Sequence, residues 1–291
     1  MSSTSMISTQ TSRTPSAWRD LLIGVLLTLV LFAPVIFHMG REWMTDEDMG
    51  HGFFVPAVAG WIIWQRREEL SRVPVRPTWW GLILVAAGLF QLLVGTLGEE
   101  FFVSRTVLLL MLAGTVITIC GTAVFRELLF PFFLLVFMIR IPAIIYNQIT
   151  MPLQLLASQV AETSLMILGI PVLREGNVME LANRKLSVVE ACSGIRSLLS
   201  LSFLALVYGY FFEQRKWLRV VLFLLTVPIA IIANAGRVTI TGILSATKPE
   251  LAEGFFHMLE GWVVFMIALL MLGACHRMIN HVRAAAEAAR R

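Results

Sequence analysis

Apolar runs of the length needed to cross a lipid bilayer recur along this chain of 291 residues. A helix of about 20 residues spans the hydrocarbon core of a membrane. Only 14% of the residues are charged, which is too little to cover the surface of a soluble domain. The sequence therefore predicts an all-α polytopic membrane protein with about eight transmembrane helices. The predicted spans are 20–38, 53–64, 79–97, 102–122, 128–146, 193–212, 218–236 and 256–275.

The short loops between these predicted spans alternate in the sign of their charge. The basic loops contain residues such as Arg66 and Arg215, and the acidic loops contain residues such as Asp48, Glu99 and Glu253. Because short basic loops stay in the cytoplasm, the pattern predicts that both termini are cytoplasmic. The net charge of +4 is thus explained by membrane sidedness, and no nucleic-acid partner is predicted.

The predicted domain organisation is one membrane-embedded domain over residues 18–276. Residues 1–17 are rich in Ser and Thr and are predicted to be a disordered cytoplasmic N-terminus. Residues 277–291 are predicted to be a basic cytoplasmic tail. The first apolar run is long and lacks a small-residue cleavage site, so it is interpreted as a retained span rather than a removed signal.

The segment between the fifth and sixth predicted spans departs from this pattern. Residues 147–170 are only moderately apolar and lie between two outer ends, which predicts an interfacial or re-entrant helix. From Pro171 onward, short runs typical of strands alternate with turn residues. A small extracytoplasmic β element is therefore predicted before the next span. Its strands are Val172–Glu175, Val178–Leu181 and Leu186–Val189, with turns at Gly176-Asn177 and Ala182-Asn183.

Cys192 is the candidate nucleophile, because it lies among polar residues at the predicted outer start of the sixth span. The free N–H groups and the dipole of a helix start favour a thiolate. Cys120 and Cys275 lack such surroundings and are expected to be packed thiols. The polar neighbours of the candidate nucleophile are Glu190, Ser193, Gly194 and Arg196.

The predicted topology brings further candidates to the same outer face. Arg237 and Asn234 are spaced i, i+3 on the seventh span, and an arginine at membrane depth usually faces a protein or aqueous cavity. A snorkelling anchor is the alternative for this arginine. His257 opens the last span, and His51, beside acidic residues of the first outer loop, is a rival base or a binder of an amine.

Together these residues resemble the exosortase and archaeosortase family. The resemblance lies in Ala-Cys-Ser-Gly-Ile-Arg-Ser at 191–197, Asn-Ala-Gly-Arg at 234–237, and His257 before the final helix. The stretch ending at His51-Gly52 and the Arg-Glu-Gly-Asn turn at 174–177 are also similar to the family.

The resemblance implies an eight-helix cysteine transpeptidase or protease in the bacterial inner membrane, with its active site on the periplasmic side and no cofactor or metal. By position it implies Cys192, Arg237 and His257 as catalytic residues. Its implied partners are secreted proteins with a C-terminal Pro-Glu-Pro signal, an apolar helix and a basic tail, usually in bacteria that make exopolysaccharide. The supporting or substrate-binding candidates are Ser193, Gly194, Arg196, Asn234, His51 and Glu190.

Two other classes of function fit the residues. One is a non-catalytic transporter or exopolysaccharide-export component, in which Arg140, Arg196 and Arg237 line an anionic pathway. The other is a metalloenzyme that uses Cys192 and the two outer histidines. The sequence lacks a close ligand pair such as His-Glu-x-x-His, which disfavours the metalloenzyme.

Overall fold

The computed structural model describes residues 14–97, 101–181, 184–187, 195–247 and 255–289. These residues form a helical membrane protein with one small sheet. The chain divides into two compact units, Met1–Arg140 and Ile141–Arg291.

The first unit is entirely helical in its described part. Its α-helices are α1 (Thr14–Leu31), α2 (Ala33–Thr45), α3 (Phe54–Gln65), α4 (Arg67–Arg72), α5 (Trp80–Leu97), α6 (Phe101–Ile119) and α7 (Thr122–Leu135). Two short 3₁₀ helices accompany them, the first at Glu47–Phe53 and the second at Val136–Met138.

Glycines allow α5 and α6 to pack closely. A Cβ atom added to Gly81 would lie 2.5 Å from the carbonyl oxygen of Gly114. Gly88 and Gly95 follow at seven-residue intervals and meet side chains of the same partner helix. Small residues at such an interface let helix backbones approach each other, which is how membrane helices gain packing energy.

The turn between α6 and α7 requires glycine at position 121. Gly121 has a φ of 92°, a backbone conformation that other residues rarely adopt. A side chain at this position would also collide with the carbonyl oxygen of Arg76. The same turn is fixed by a hydrogen bond of 3.1 Å from the backbone N–H of Arg76 to the carbonyl oxygen of Cys120.

The second unit combines helices with a sheet. Its α-helices are α8 (Ala143–Ile167), α9 (Ile195–Phe212), α10 (Lys216–Thr247) and α11 (Phe255–Ala289). The strands β1 (Val172–Glu175), β2 (Val178–Leu181) and β3 (Arg184–Ser187) form an antiparallel sheet in the order β1-β2-β3.

The sequence prediction of a β element is confirmed. Gly176 and Asn177 connect β1 to β2 as a two-residue turn, and Gly176 has the positive φ of 65° that such a turn requires. β3 begins at Arg184, two residues earlier than predicted. The predicted turn at 182–183 lies outside the described residues.

The predicted helix over 147–170 is also present, as α8. Its buried face packs on α10, where a Cβ atom added to Gly242 would lie 2.8 Å from Leu165. Ala161 of α8, Met179 of β2 and Val238 of α10 form a small shared core. The sheet, α8 and α10 are therefore packed as one body within the second unit.

A second core joins the other three helices of this unit. Each of α9, α10 and α11 contributes two or three buried residues to this core, so these helices form a bundle. The buried members are Leu201, Ala205, Leu222, Ile229, Ala233, Val264, Ala268 and Leu272.

The number of spans differs from the predicted eight. By length and composition, three helices of the described residues are sufficient to cross a membrane, namely Phe102–Ile119, Lys216–Thr247 and Trp262–Ala289. The number rises to five if each of two bent helix pairs counts as one span. Trp80–Gly95 and Leu198–Phe212 are apolar but shorter.

Proline accounts for two of these departures. The predicted span 20–38 bends by 69° between α1 and α2, where Pro34 occupies the first turn of α2 and cannot continue α1. The predicted span 128–146 is wrong as a continuous helix, because the chain leaves α7 and its 3₁₀ extension at Met138 and restarts after Pro142.

Length accounts for two more. The predicted span 53–64 corresponds to α3, whose 12 residues cover about 18 Å, well short of the hydrocarbon core. The predicted span 218–236 is too short instead, since α10 continues to Thr247.

Candidate active site

The described residues frame the candidate nucleophile without including it. Cys192 lies outside the described residues, as do Glu190, Ser193 and Gly194. α9 begins at Ile195, three residues after Cys192 in the sequence. The backbone of Arg196 belongs to the first turn of this helix, and nothing is described of its side chain.

His257 has a similar position on another helix. α11 begins at Phe255, so the backbone of His257 belongs to its first turn, while its side chain is not among those described. The first turn of a helix leaves N–H groups without intrahelical acceptors.

Arg237 lies within α10 rather than at its end. At 1.5 Å per residue it follows Lys216 by about 32 Å along the helix axis, close to the thickness of the hydrocarbon core. Its side chain is half-buried. Its carbonyl oxygen accepts a hydrogen bond of 3.0 Å from the Oγ1 hydroxyl of Thr241.

Asn234 precedes Arg237 by one turn of α10 and is 5% exposed. Among the described residues, no hydrogen-bond acceptor meets its Nδ2 amide group. Leaving such a buried donor unsatisfied costs about 1–3 kcal/mol, so this amide calls for an acceptor beyond the described residues, such as a water molecule or a bound group. The Asn-Ala-Gly-Arg motif thus combines a buried amide donor with a half-buried guanidinium group.

Two contacts define the register of α9 against α10. The hydroxyl groups of Ser202 and Thr226 lie 3.1 Å apart, and Gly209 faces the Cα atom of Arg219. The residue numbers change by seven in opposite directions, so the two helices are antiparallel. Continued at this register, Ile195 is level with Ala233, the residue before Asn234.

Polar contacts dock the β hairpin on α8. The Nε atom of Arg174 lies 2.7 Å from the Oε2 atom of Glu162, and the hydroxyl of Ser158 donates to the carbonyl oxygen of Gly176 at 3.2 Å. The Nδ2 amide of Asn177 donates to the Oε1 atom of Gln154 at 3.3 Å. These contacts hold the sheet that leads the chain toward Cys192.

The sequence contains a signal for this docking. Gln154, Ser158 and Glu162 recur at four-residue intervals, which places them on one face of a helix. The moderate apolarity of this segment by itself predicts only an interfacial or re-entrant helix. In the structure, each of the three contacts the turn or the first strand of the sheet.

His51 belongs to the first unit and contacts the backbone. Its Nε2 atom lies 3.1 Å from the carbonyl oxygen of Phe137. Because a carbonyl oxygen only accepts, Nε2 carries a proton and donates it. Burial lowers the pKa of His51 and outweighs its backbone hydrogen bonds, so the neutral ring is favoured.

Trp43 reinforces the same connection. Its Nε1–H group donates to the carbonyl oxygen of Met138 at 3.1 Å, and its ring packs so closely on Gly52 that no side chain would fit there. His51 and Trp43 thus tie the first 3₁₀ helix and the end of α2 to the second 3₁₀ helix. This geometry favours a structural role for His51.

Two acidic residues that precede His51 have partners within the first unit. Asp46 forms an ion pair of 2.7 Å with Arg140 and also accepts the backbone N–H of Asp48 at 2.9 Å. Glu42 pairs with the buried Arg105 at 2.5 Å. Arg140, a member of the predicted anionic pathway, is therefore engaged in an internal ion pair.

The two other cysteines differ from a reactive thiol. Cys120 is completely buried, which agrees with a packed thiol. Cys275 is half-buried and packs against the core of α9, α10 and α11. Within the described ranges, no three His, Cys, Asp or Glu side chains converge in a way that could hold a metal ion.

A family model described as Transmembrane exosortase (Exosortase_EpsH) matches residues 43–274. The matched range covers most of the chain and includes every candidate site residue. The chain belongs to the transmembrane exosortase family. The resemblance seen in the sequence is thereby confirmed, and membership of this family indicates a membrane-embedded sorting transpeptidase of the cysteine type. No curated protein and no solved structure shows significant similarity to the chain.

In this exosortase, the three catalytic candidates belong to the second unit. Cys192 precedes α9 in the sequence, Arg237 lies on α10, and His257 lies in the first turn of α11. These three helices share one core. His51, the rival base, belongs to the first unit, as does Arg140 of the predicted anionic pathway.

Proposed function

We propose that this exosortase is a membrane-embedded cysteine protease or transpeptidase, with Cys192 as nucleophile. Its substrates are secreted proteins with a C-terminal Pro-Glu-Pro signal, an apolar helix and a basic tail. Cleavage takes place at the outer face of the bacterial inner membrane, and both termini are cytoplasmic. The observation that carries the proposal is the shared core of α9, α10 and α11.

The helix register supports a meeting of these groups. Ala233 is level with Ile195, the first described residue of α9. Asn234 and Arg237 therefore lie beyond this end of α9 along the bundle axis. Cys192 precedes Ile195 by three residues in the same direction. α9 and α11 run parallel, since their contacts include Tyr208 with His276 and their shared core continues toward both N-termini.

The proposed reaction is acyl transfer through a thioester. His257 takes the proton from the Cys192 thiol, and the thiolate attacks the carbonyl carbon of the scissile peptide bond. The C–N bond then breaks, and the imidazolium of His257 gives its proton to the leaving amine. A water molecule or an amine then attacks the thioester carbon and loses a proton to His257. The C–S bond breaks, and the departing Cys192 thiolate takes that proton back from His257.

Arg237 and Asn234 supply donors for the negative charge that develops on the substrate oxygen. A guanidinium group stays charged at any physiological pH, and a buried amide group needs no reorganisation to donate to an oxyanion. The free N–H groups at the start of α9 are further donors. Glu190, Ser193, Gly194 and Arg196 complete the proposed site around Cys192.

A transporter with an anionic pathway is less well supported. That alternative needs free arginines, and Arg140 is already paired with Asp46 at 2.7 Å.

The decisive experiment is to trap the covalent intermediate. Membranes holding the wild-type chain and a substrate should yield a mass adduct on the peptide that contains Cys192, and hydroxylamine should remove it. The Cys192→Ala variant should show neither adduct nor cleavage, while Cys275→Ala, the matched control, should show both. Full cleavage by Cys192→Ala at wild-type protein levels would refute the thioester mechanism.

A further inference from the structure

A cluster of polar side chains, two of them buried, lies at the opposite end of the α9–α11 bundle from the candidate active site. We call it the basal cluster, and it consists of Tyr208, Glu213, His276 and Asn280. The hydroxyl of Tyr208 lies 2.8 Å from the Nδ1 atom of His276, and the Oε2 atom of Glu213 lies 3.1 Å from its Nε2 atom. Asn280 contacts the same Nε2 atom at 2.9 Å. His276 is 6% exposed and Glu213 is 8% exposed.

Each hydrogen bond in the cluster can be assigned one donor and one acceptor. The backbone N–H of Arg215 donates to the Oε1 atom of Glu213 at 2.8 Å and is the main reason that the pKa of this carboxyl is lowered. An ionised carboxylate only accepts, so Nε2 of His276 donates to it. The Asn280 amide, whose two terminal atoms exchange by a half-turn, then presents its oxygen to Nε2. Both ring nitrogens of His276 are therefore used.

The start of α10 contacts the basal cluster. The carbonyl oxygen of Glu213 accepts a hydrogen bond of 2.7 Å from the Nε atom of Arg219, and Gly209 packs on the backbone of the same arginine. All three helices thus meet at one level. Sliding one helix by a single residue moves its side chains by about 1.5 Å and turns them by about 100°, which would break this network.

Counting along α10 and α11 from this level reaches Arg237 and His257 at similar heights. Arg237 lies about 27 Å from Arg219, and His257 about 29 Å from His276, at 1.5 Å per residue. Along α9, Ile195 lies about 20 Å from Tyr208, and Cys192 is three residues further in the sequence.

We infer that the basal cluster is a positioning device that sets the height of Cys192 relative to His257 by fixing the axial register of α9 against α11. The inference rests on the proposed function of these two residues. Glu213, Tyr208, His276 and Asn280 touch no substrate, so they act only through the helices that they join. Catalysis depends on such placement, because a shift of about 1 Å can cost a hundredfold in rate.

The test compares Tyr208→Phe with Tyr210→Phe in a chain whose other thiols are removed by Cys120→Ala and Cys275→Ala. Tyr208→Phe deletes only the hydroxyl that contacts His276. Tyr210 lies two residues further along α9, and its ring faces the guanidinium of Arg219, a contact that a phenylalanine ring retains. Two quantities are measured in membranes, the kcat and KM for substrate cleavage and the pH profile of Cys192 alkylation by iodoacetamide.

For Tyr208→Phe we expect kcat to fall by at least about tenfold with KM nearly unchanged. The midpoint of Cys192 alkylation should rise toward about 8.5, the value of a thiol without a cationic or basic neighbour. Tyr210→Phe should match the parent chain in both quantities. A role in stability alone would lower the amount of folded protein and leave the alkylation profile of the remainder unchanged.

Parental kcat and alkylation profile in Tyr208→Phe would overturn the inference, as would equal losses in both tyrosine variants. Alkylation needs no substrate, so it tests the helix register even if the proposed reaction is wrong. Cleavage that survives Cys192→Ala would instead refute the proposed function.

Discussion

The Nε2 atom of His51 donates to the carbonyl oxygen of Phe137 at 3.1 Å, across 86 positions of sequence. This contact predicts that loss of His51 affects stability, whereas loss of His257 affects cleavage. We expect His51→Ala to lower the free energy of unfolding by about 1–3 kcal/mol, because a buried carbonyl group loses its donor. Cleavage per folded molecule should largely persist, whereas His257→Ala should abolish it. Cleavage is measured in membranes with equal amounts of each folded variant, and a dead His51→Ala beside a live His257→Ala would move the base to His51.

Acid should weaken the same connection. The pKa of His51 in the folded chain is below the ordinary 6.5, chiefly because the ring is buried. The neutral ring therefore stabilises the fold fully above about pH 6.5, and this contribution is lost as the pH falls through the folded-state pKa. We expect the unfolding temperature in detergent to fall below that pH in the wild type and to fall less in His51→Gln. An identical pH dependence in both chains would contradict this assignment.

Arg237 offers a sharp test of catalysis against anchoring. We expect Arg237→Lys to lose nearly as much cleavage as Arg237→Ala, about a hundredfold to a thousandfold, because a lysine cannot present the planar fork of donors. A lysine would anchor the helix at the interface equally well. Lys216→Arg, at the other end of α10, is the control and should be neutral. A fully active Arg237→Lys would reduce Arg237 to an interfacial anchor.

The ion pair between Arg174 and Glu162 should matter for cleavage, although neither residue belongs to the catalytic set. Its side chains are 25% and 22% exposed, so their coupling is about 1 kcal/mol. We expect Arg174→Ala or Glu162→Ala to lower cleavage several-fold by loosening the sheet before Cys192. The charge swap Arg174→Glu with Glu162→Arg should recover part of the loss. A double-mutant cycle that shows no coupling between the two residues would contradict a dependence of cleavage on the docking of the sheet.

The proposed sidedness can be measured directly. Reporter fusions after Arg76 and Arg291 should read as cytoplasmic, and a fusion near Asn177 should read as external, because basic and acidic loops alternate. The alternation is visible in the sequence, and the proposed site requires it. An external reading at Arg291 would separate the ends of α9, α10 and α11 that the mechanism brings together.

Local features of this protein were determined by the sequence alone. Gly176 and Asn177 between two strand-like runs predicted the hairpin, and the structure contains it at those residues. The apolar runs predicted most of the helices, and the motif at 191–197 with Arg237 and His257 predicted the family. Each of these signals acts within a few residues, through backbone conformation, helix period or side-chain chemistry.

The tertiary structure decided what depends on distant partners. Hydropathy counts apolar residues without regard to geometry, so it missed the bend after α1 and the break after Met138. The role of His51 depends on a carbonyl group of another segment, which no local pattern reveals. The height of α9 against α11 is likewise set by Tyr208 and His276, 68 positions apart. An apolar helix face tolerates sliding along its neighbour, whereas a buried hydrogen-bond network is satisfied in only one register.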